Sequence, residues 1–304
     1  MKRILIALAA ATILSTAAHA EKIGVSMAKF DDNFLTVLRN AMTDYAKGKA
    51  DLQIEDAQND VGKQLSQIQN FAAAKVDAII VNPVDTDATP KMTEIAKQAG
   101  IPLVYVNRMP ADKTLPPKVS FVGSDERDSG TLEATQVCKL LGGKGKIVIM
   151  MGELSNQAAR QRTQDVLDVI AKPECKGIEV LQKQTANWDR IQGNDLMSNW
   201  ISAGLKPDAV VSNNDEMAIG AIQALKAAGI KNVVVGGVDA TQDALAAMKA
   251  GDLKVTVFQN AAGQGKGAVD TALKLSKGDK VDSMVWIPFE LVTPDNLDKY
   301  MTKN

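Results

Sequence analysis

Residues 77–107 read DAIIVNPVDTDATPKMTEIAKQAGIPLVYVN, and this stretch decides the fold. AIIV is apolar at every position, as expected of a parallel strand buried on both faces. The segment 88–98 has helical character and stops at Gly100, a residue that commonly ends helices. PLVYVN then begins a second apolar strand. Strand, helix and strand within about 30 residues make a βαβ unit, which requires a parallel sheet covered by helices.

The same rhythm extends both ways. Upstream lie a strand KIGVSMA (22–28), a helix over 33–47, a strand LQIEDA (52–57) and a helix over 63–74 with Leu65, Ile68 and Phe71 on one face. Downstream come VSFVGSD (119–125), a helix over 128–141, KIVIMMG (146–152), a helix over 157–171, IEVLQKQ (178–184) and a helix over 190–203. AVVSN, VVVGGVD and VTVFQN alternate with further helices, and VWIPFELV (285–292) forms a last strand. The expected fold class is α/β, in two lobes of similar size that divide near Ser124 with no flexible linker.

The first twenty residues stand apart. Lys2 and Arg3, an apolar run ILIALAAATIL and Ala18-His19-Ala20 have the layout of a cleavable secretory signal peptide over 1–20. About 284 residues remain, enough for two cores. They contain no histidine, since His19 leaves with the leader, which excludes Ser-His, Cys-His and His-metal sites. With the leader gone, 33 basic residues face 36 acidic ones, a net charge of −3 that favours neither nucleic acid nor a membrane surface. No cofactor or metal is expected. Cys138 and Cys175 enter an oxidising compartment, either bridged or as two separate buried thiols.

Ligands of open α/β sheets bind beyond the carboxyl ends of the strands. The residues there are Asp31, Asp32 and Phe34; Asn82 and Asp85; Asn107 and Arg108; Arg160 and Arg162; Trp188 and Asp189; Asn213, Asn214 and Asp215; Asp239; and Gln259. Several fit helix N-caps equally well, notably Asn82, Asp85 and Asp215. Together they offer carboxylates, amides, guanidinium groups and an aromatic ring from each half. That set suits a polyhydroxylated ring, whose hydroxyls donate and accept while its C–H face packs on an aromatic plate. Asp32 and Asp239 balance Arg108 and Arg162, matching an uncharged solute.

At these residues the chain resembles the periplasmic ribose-type sugar-binding proteins of ABC transporters, and within them the myo-inositol and rhizopine binders. The resemblance is carried by DDNF (31–34), DAQND (56–60), IIVNPVDTDA (79–88), VNR (106–108), QAARQR (157–162), NWDRIQG (187–193), NNDEMAIGA (213–221) and GGVDAT (236–241). It implies the two-lobe periplasmic-binding-protein fold with a three-crossover hinge, the lobes being 21–124 with 260–284 and 125–259 with 285–304. It implies ligand contacts at Asp32, Phe34, Asn107, Arg108, Arg162, Trp188, Asn214, Asp239 and Gln259. It also implies a monomer that delivers its solute to a membrane permease, and is compatible with a chemoreceptor partner. Asn107 stands where the ribose pattern has Asp, Asp32 where it has Asn, Ala28 where it has Ser, Leu35 where it has a second Phe and Trp188 where it has Phe. These departures shift the expected ligand from ribose to a six-membered cyclitol such as myo-inositol, with another monosaccharide as the alternative. A two-carboxylate hydrolase built on Asp32 and Asp239 is the competing class. A DNA-binding regulator would need a helix pair where the leader stands.

Overall fold

The structure is a computed structural model that describes residues 20–112 and 114–303; the expected signal peptide falls, but for Ala20, outside them. The first sheet holds β1 (Glu21–Met27), β2 (Ala50–Asp56), β3 (Ala78–Val81), β4 (Leu103–Val106), β5 (Val119–Gly123) and β11 (Met284–Trp286) in the order β11-β5-β4-β3-β1-β2. All its pairings are parallel. The second contains β6 (Lys144–Met151), β7 (Gly177–Thr185), β8 (Ala209–Ser212) and β9 (Val234–Gly236), also parallel, in the order β7-β6-β8-β9. Parallel bridges from Gly236 to Val255 and from Asp239 to Phe258 attach β10 (Thr256–Phe258), which pairs antiparallel with β12 (Glu290–Val292).

Helices cover each sheet. On the first are α1 (Asn33–Ala46), α2 (Val61–Ala73), α3 (Thr89–Ala99) and the late helix α9 (Ala261–Ser276). On the second are α4 (Glu126–Leu140), α5 (Gln157–Ile170), α6 (Arg190–Ser202), α7 (Asp215–Ala227) and α8 (Gln242–Lys249). Every residue of β3 and β4 is buried, so these strands need no alternation of polar and apolar positions. The interior is aliphatic and Ala-rich; dense packing then depends on close helix contacts. At the α6–α7 crossing, a Cβ on Gly193 would come within 2.7 Å of the Met217 carbonyl oxygen.

The chain crosses between sheets at 124–125, 259–260 and 287–289. The expected single strand over 285–292 is therefore two strands in two different sheets. Pro288 lies at the break, and a ring nitrogen without a proton cannot continue a hydrogen-bonded ladder. Helix α4 also starts at Glu126, two residues ahead of the expected Asp128, because Asp125 caps it by accepting from the Arg127 N–H.

Cys138 on α4 and Cys175 beyond α5 form a disulfide with Cα atoms 5.8 Å apart. It joins the carboxyl-terminal ends of two adjacent helices across 37 positions of sequence. A closed loop of that length stabilises the fold by about 4 kcal/mol through the entropy of the unfolded chain. Denatured, unreduced protein should therefore expose no thiol to a thiol reagent, and reduction should lower the unfolding free energy by an amount of that order in urea titrations. Two reactive thiols before reduction would refute the bridge.

Candidate functional site

All nine residues expected to converge line one cleft between the two sheets, together with Leu35, Glu126, Asn156 and Ala158. The void enclosed among them is small, about 40 Å³. One wall comes from the ends of β1 and β4 and the start of α1. The other comes from α5, the turn after β7, the N-terminus of α7 and the segments following β9 and β10.

Several of these residues do two jobs. Asp32 caps α1, its Oδ1 accepting from the Leu35 N–H at 2.8 Å, and Asn214 caps α7 by accepting from the Met217 N–H at 3.1 Å. Asn214 Nδ2 also donates to the Trp188 carbonyl at 3.2 Å, tying the aromatic turn to α7. Asn107, Trp188 and Asp239 have φ of 67°, 65° and 126°, outside the region favoured by residues with a Cβ. Such strain costs roughly 1–3 kcal/mol per residue and clusters where a side chain must be aimed. The Trp188 ring lies directly on Gly152, where a Cβ would come within 2.1 Å of it. Its indole Nε1–H is buried and meets no hydrogen-bond acceptor among the described residues.

The two arginines are held differently. Arg108 directs Nη1 to the carbonyls of Pro83 at 2.9 Å and Val84 at 3.4 Å, and lies 3.9 Å from Glu153. Arg162 makes a two-pronged ion pair with Glu126, Nε to Oε2 at 2.7 Å and Nη2 to Oε1 at 3.1 Å, with both side chains under 5% exposed. Its Nη1 donates to the Asn213 carbonyl at 2.7 Å and Nη2 to Gln259 Oε1 at 3.4 Å. Burial raises the Asp32 carboxyl above its usual range against the opposing pull of the Leu35 N–H, Lys29 and Arg108, and raises Asp239 well above it against that of Arg162.

The expected charge set in the cleft is incomplete. Glu126 adds a third acidic side chain, so Asp32, Glu126 and Asp239 face Arg108 and Arg162, and burial keeps the Asp239 carboxyl protonated to a pH well above its ordinary range. Glu126 follows β5, where the strand-end rule could have found it; only the tertiary structure shows it buried against Arg162. The remaining strand-end residues separate from the cleft. Asp85 caps a short 3₁₀ turn and Asp189 caps α6. Asn82 is a buried tie, its Nδ2 donating to the Val106 carbonyl at 3.2 Å, and Asn213 accepts from the Gly152 N–H at 3.1 Å. Asp215 is buried as well, accepting from Thr256 Oγ1 at 2.8 Å and the Thr241 N–H at 3.0 Å. Neither Asn82 nor Asp215 caps a helix as the pattern allowed. Asp31 lies in a wider polar groove beside the cleft.

Direct bonds bridge the two bodies around the site. Thr86 bonds to the Ser155 carbonyl through both its N–H, at 3.1 Å, and its hydroxyl, at 3.0 Å. Asn59 donates to Glu153 at 2.9 Å, Asn33 to Glu216 at 2.8 Å and Arg160 to Asp87 at 2.9 Å. The cleft is thus clasped on several sides.

Two parallel-sheet bodies, three crossings and an enclosed polar cleft with aromatic residues define a two-lobed ligand-binding protein. The profile of the periplasmic binding protein domain matches residues 23–280, and the chain belongs to this family. A Rhizobium meliloti protein bearing the name "Putative rhizopine-binding protein" is 66% identical over all of both chains. An ABC transporter solute binding protein from Bacillus halodurans, solved with bound myo-inositol, is 43% identical, with a TM-score of 0.90 over 95% of this chain and 100% of that one. The ribose import binding protein of Escherichia coli is 30% identical over 93% of this chain and 94% of its own. Proteins of this kind bind solutes and are not enzymes, which removes the hydrolase reading. Among the described residues no helix is long and apolar enough to cross a membrane.

Two outcomes follow from the site. Gly152→Ala drives a methyl group into the Trp188 ring, so stability should fall by about 1–3 kcal/mol with a change in near-ultraviolet dichroism; an unaltered spectrum would contradict the contact. Burial also lifts Glu133 to about 8 and Asp165 and Asp215 to about 7, from ordinary values of 4.5, 3.8 and 3.8. Between about pH 4 and 8 the folded protein therefore holds protons that the unfolded chain has released, so stability from these groups falls as pH rises. Urea midpoints should be higher at pH 5.5 than at 8.5, and Glu133→Gln should shrink the difference. A midpoint rising with pH would refute this.

Proposed function

We propose that this protein is the periplasmic receptor of an ABC transporter for myo-inositol or a close cyclitol derivative, exported by its leader and delivering its ligand to a membrane permease. The observation that carries this reading is the arrival of nine strand-end side chains from both bodies in one small polar cleft. The asymmetry among relatives supports the ligand: 66% identity to the rhizopine-named protein and 43% to the myo-inositol complex, against 30% to the ribose binder.

In this reading Phe34 and Trp188 supply apolar faces for ring C–H groups, while Asp32, Asn107, Arg108, Arg162, Asn214, Asp239 and Gln259 hydrogen-bond the hydroxyls. The buried indole Nε1–H of Trp188 supplies one more donor. The moving bodies are 21–124 with 260–286 and 125–259 with 287–303, turning about the three crossings. Ligand favours the clasped arrangement because only there do both walls reach it, so binding shifts a pre-existing balance between open and closed forms. The protein acts as a monomer, since each cleft is complete within one chain.

Calorimetry with myo-inositol tests the assignment. Asp239→Ala or Arg108→Ala should lose about 2–4 kcal/mol of binding, with folding checked by circular dichroism. Parent-like affinity in either variant would overturn the site, and failure of the parent to bind any cyclitol or monosaccharide would overturn the function.

A further inference from the structure

Arg162 reaches the cleft with most of its hydrogen-bonding capacity already committed. A guanidinium carries five N–H donors. Nε–H and one Nη2–H go to Glu126, the other Nη2–H to Gln259 and one Nη1–H to the Asn213 carbonyl. A single Nη1–H remains. One donor can serve a hydroxyl, but two parallel N–H bonds are needed to grip a carboxylate in the fork geometry that arginine otherwise favours. The same carboxylate that occupies the fork also cancels its charge, at 2.7 Å and away from water.

We propose that Glu126 is a specificity-determining residue that reserves the cleft for uncharged polyols and excludes carboxylate-bearing sugars of the same ring size. Glu126 fits this role in three respects. It lines the cleft itself. Its pairing with Arg162 is geometrically fixed, because Ser129 Oγ donates to Glu126 Oε2 at 3.1 Å and α4 lies so close to α5 that a Cβ on Gly130 would come within 2.6 Å of the Arg162 carbonyl. Finally, its carboxylate cancels the Arg162 charge that would otherwise draw an anion into the cleft. An anion entering this cleft loses a charged group's hydration and finds the Arg162 charge already cancelled and its fork occupied. A neutral hydroxyl gives up far less hydration and needs only a single N–H.

The inference rests on the polyol-receptor reading above and adds the charge class of the ligand. Its test is the ratio of affinities for myo-inositol and D-glucuronate, measured by calorimetry at pH 7.5. The parent should prefer myo-inositol by at least about a hundredfold, roughly 2.7 kcal/mol. Glu126→Gln replaces one accepting oxygen of the fork by an NH2 group and leaves the Arg162 charge uncompensated, so the preference should narrow at least tenfold even as myo-inositol itself binds less well. Glu126→Asp keeps the charge and should keep the preference. The pair replacement Glu126→Gln with Arg162→Met leaves the lining charge as in the parent and should restore the preference. Equal weakening of both ligands in Glu126→Gln would make Glu126 a structural residue only and overturn the proposal. If that variant does not fold, the pair replacement decides: a parent-like ratio supports the proposal and a narrowed one overturns it. A parent that binds no neutral cyclitol or monosaccharide defeats the receptor reading first, and this inference with it.

Discussion

Because every pairing in the two main sheets is parallel, each sheet gathers its strand carboxyl ends at one edge. Turns leaving those ends begin helices, whose first N–H groups need side-chain acceptors. Asp32, Asp189 and Asn214 are placed there by this elementary requirement and also stand at or beside the cleft. Two such edges, held face to face by three short crossings, concentrate polar groups from distant parts of the sequence. The aliphatic interior leaves few aromatic rings, and Phe34 and Trp188 both line this cleft.

The second lobe places considerable negative charge around the site. Glu126, Glu133, Asp165, Asp215 and Asp239 are all at least half-buried, and one guanidinium, that of Arg162, serves as the charge partner common to much of the set. Burial keeps Glu133, Asp165, Asp215 and Asp239 protonated to higher pH than usual, which avoids the full desolvation of a charge. Arg162 itself is kept charged against that burial by Glu126. The α4–α5 pair that carries Arg162 and Glu126 near its amino ends is locked at its other end by the Cys138–Cys175 bridge. The disulfide thus constrains the two helices whose spacing fixes the central ion pair.

The clasp around the cleft is built of unequal parts. Asn59 with Glu153 and Thr86 with Ser155 lie partly shielded, whereas Arg160 with Asp87 is solvent-exposed and weak, an ion pair of a kind worth at most about 1 kcal/mol. A cleft held shut by several modest bonds can open without disturbing either core.

Local chemistry was enough to read much of this from the chain. The apolar runs at 78–81 and 103–106, the glycine stop at 100 and the alternation with amphipathic helices dictated two parallel α/β bodies, because a strand buried on both faces must be apolar throughout. The strand-end rule placed all nine cleft residues among a longer set of candidates, because parallel topology fixes where strand ends go, and the family resemblance singled them out. Other facts existed only once the chain was folded. The break at Pro288 separates strands of different sheets, and no local pattern reveals which sheet a three-residue strand will join. Whether Cys138 and Cys175 meet depends on how α4 packs on α5. Asn82 and Asp215 look like caps in sequence and become buried ties. Glu126, an ordinary acidic residue in a first helical turn, became the partner of Arg162 because charge pairing is decided by distance and burial. Those quantities arise between segments remote in sequence, so no single segment could specify them.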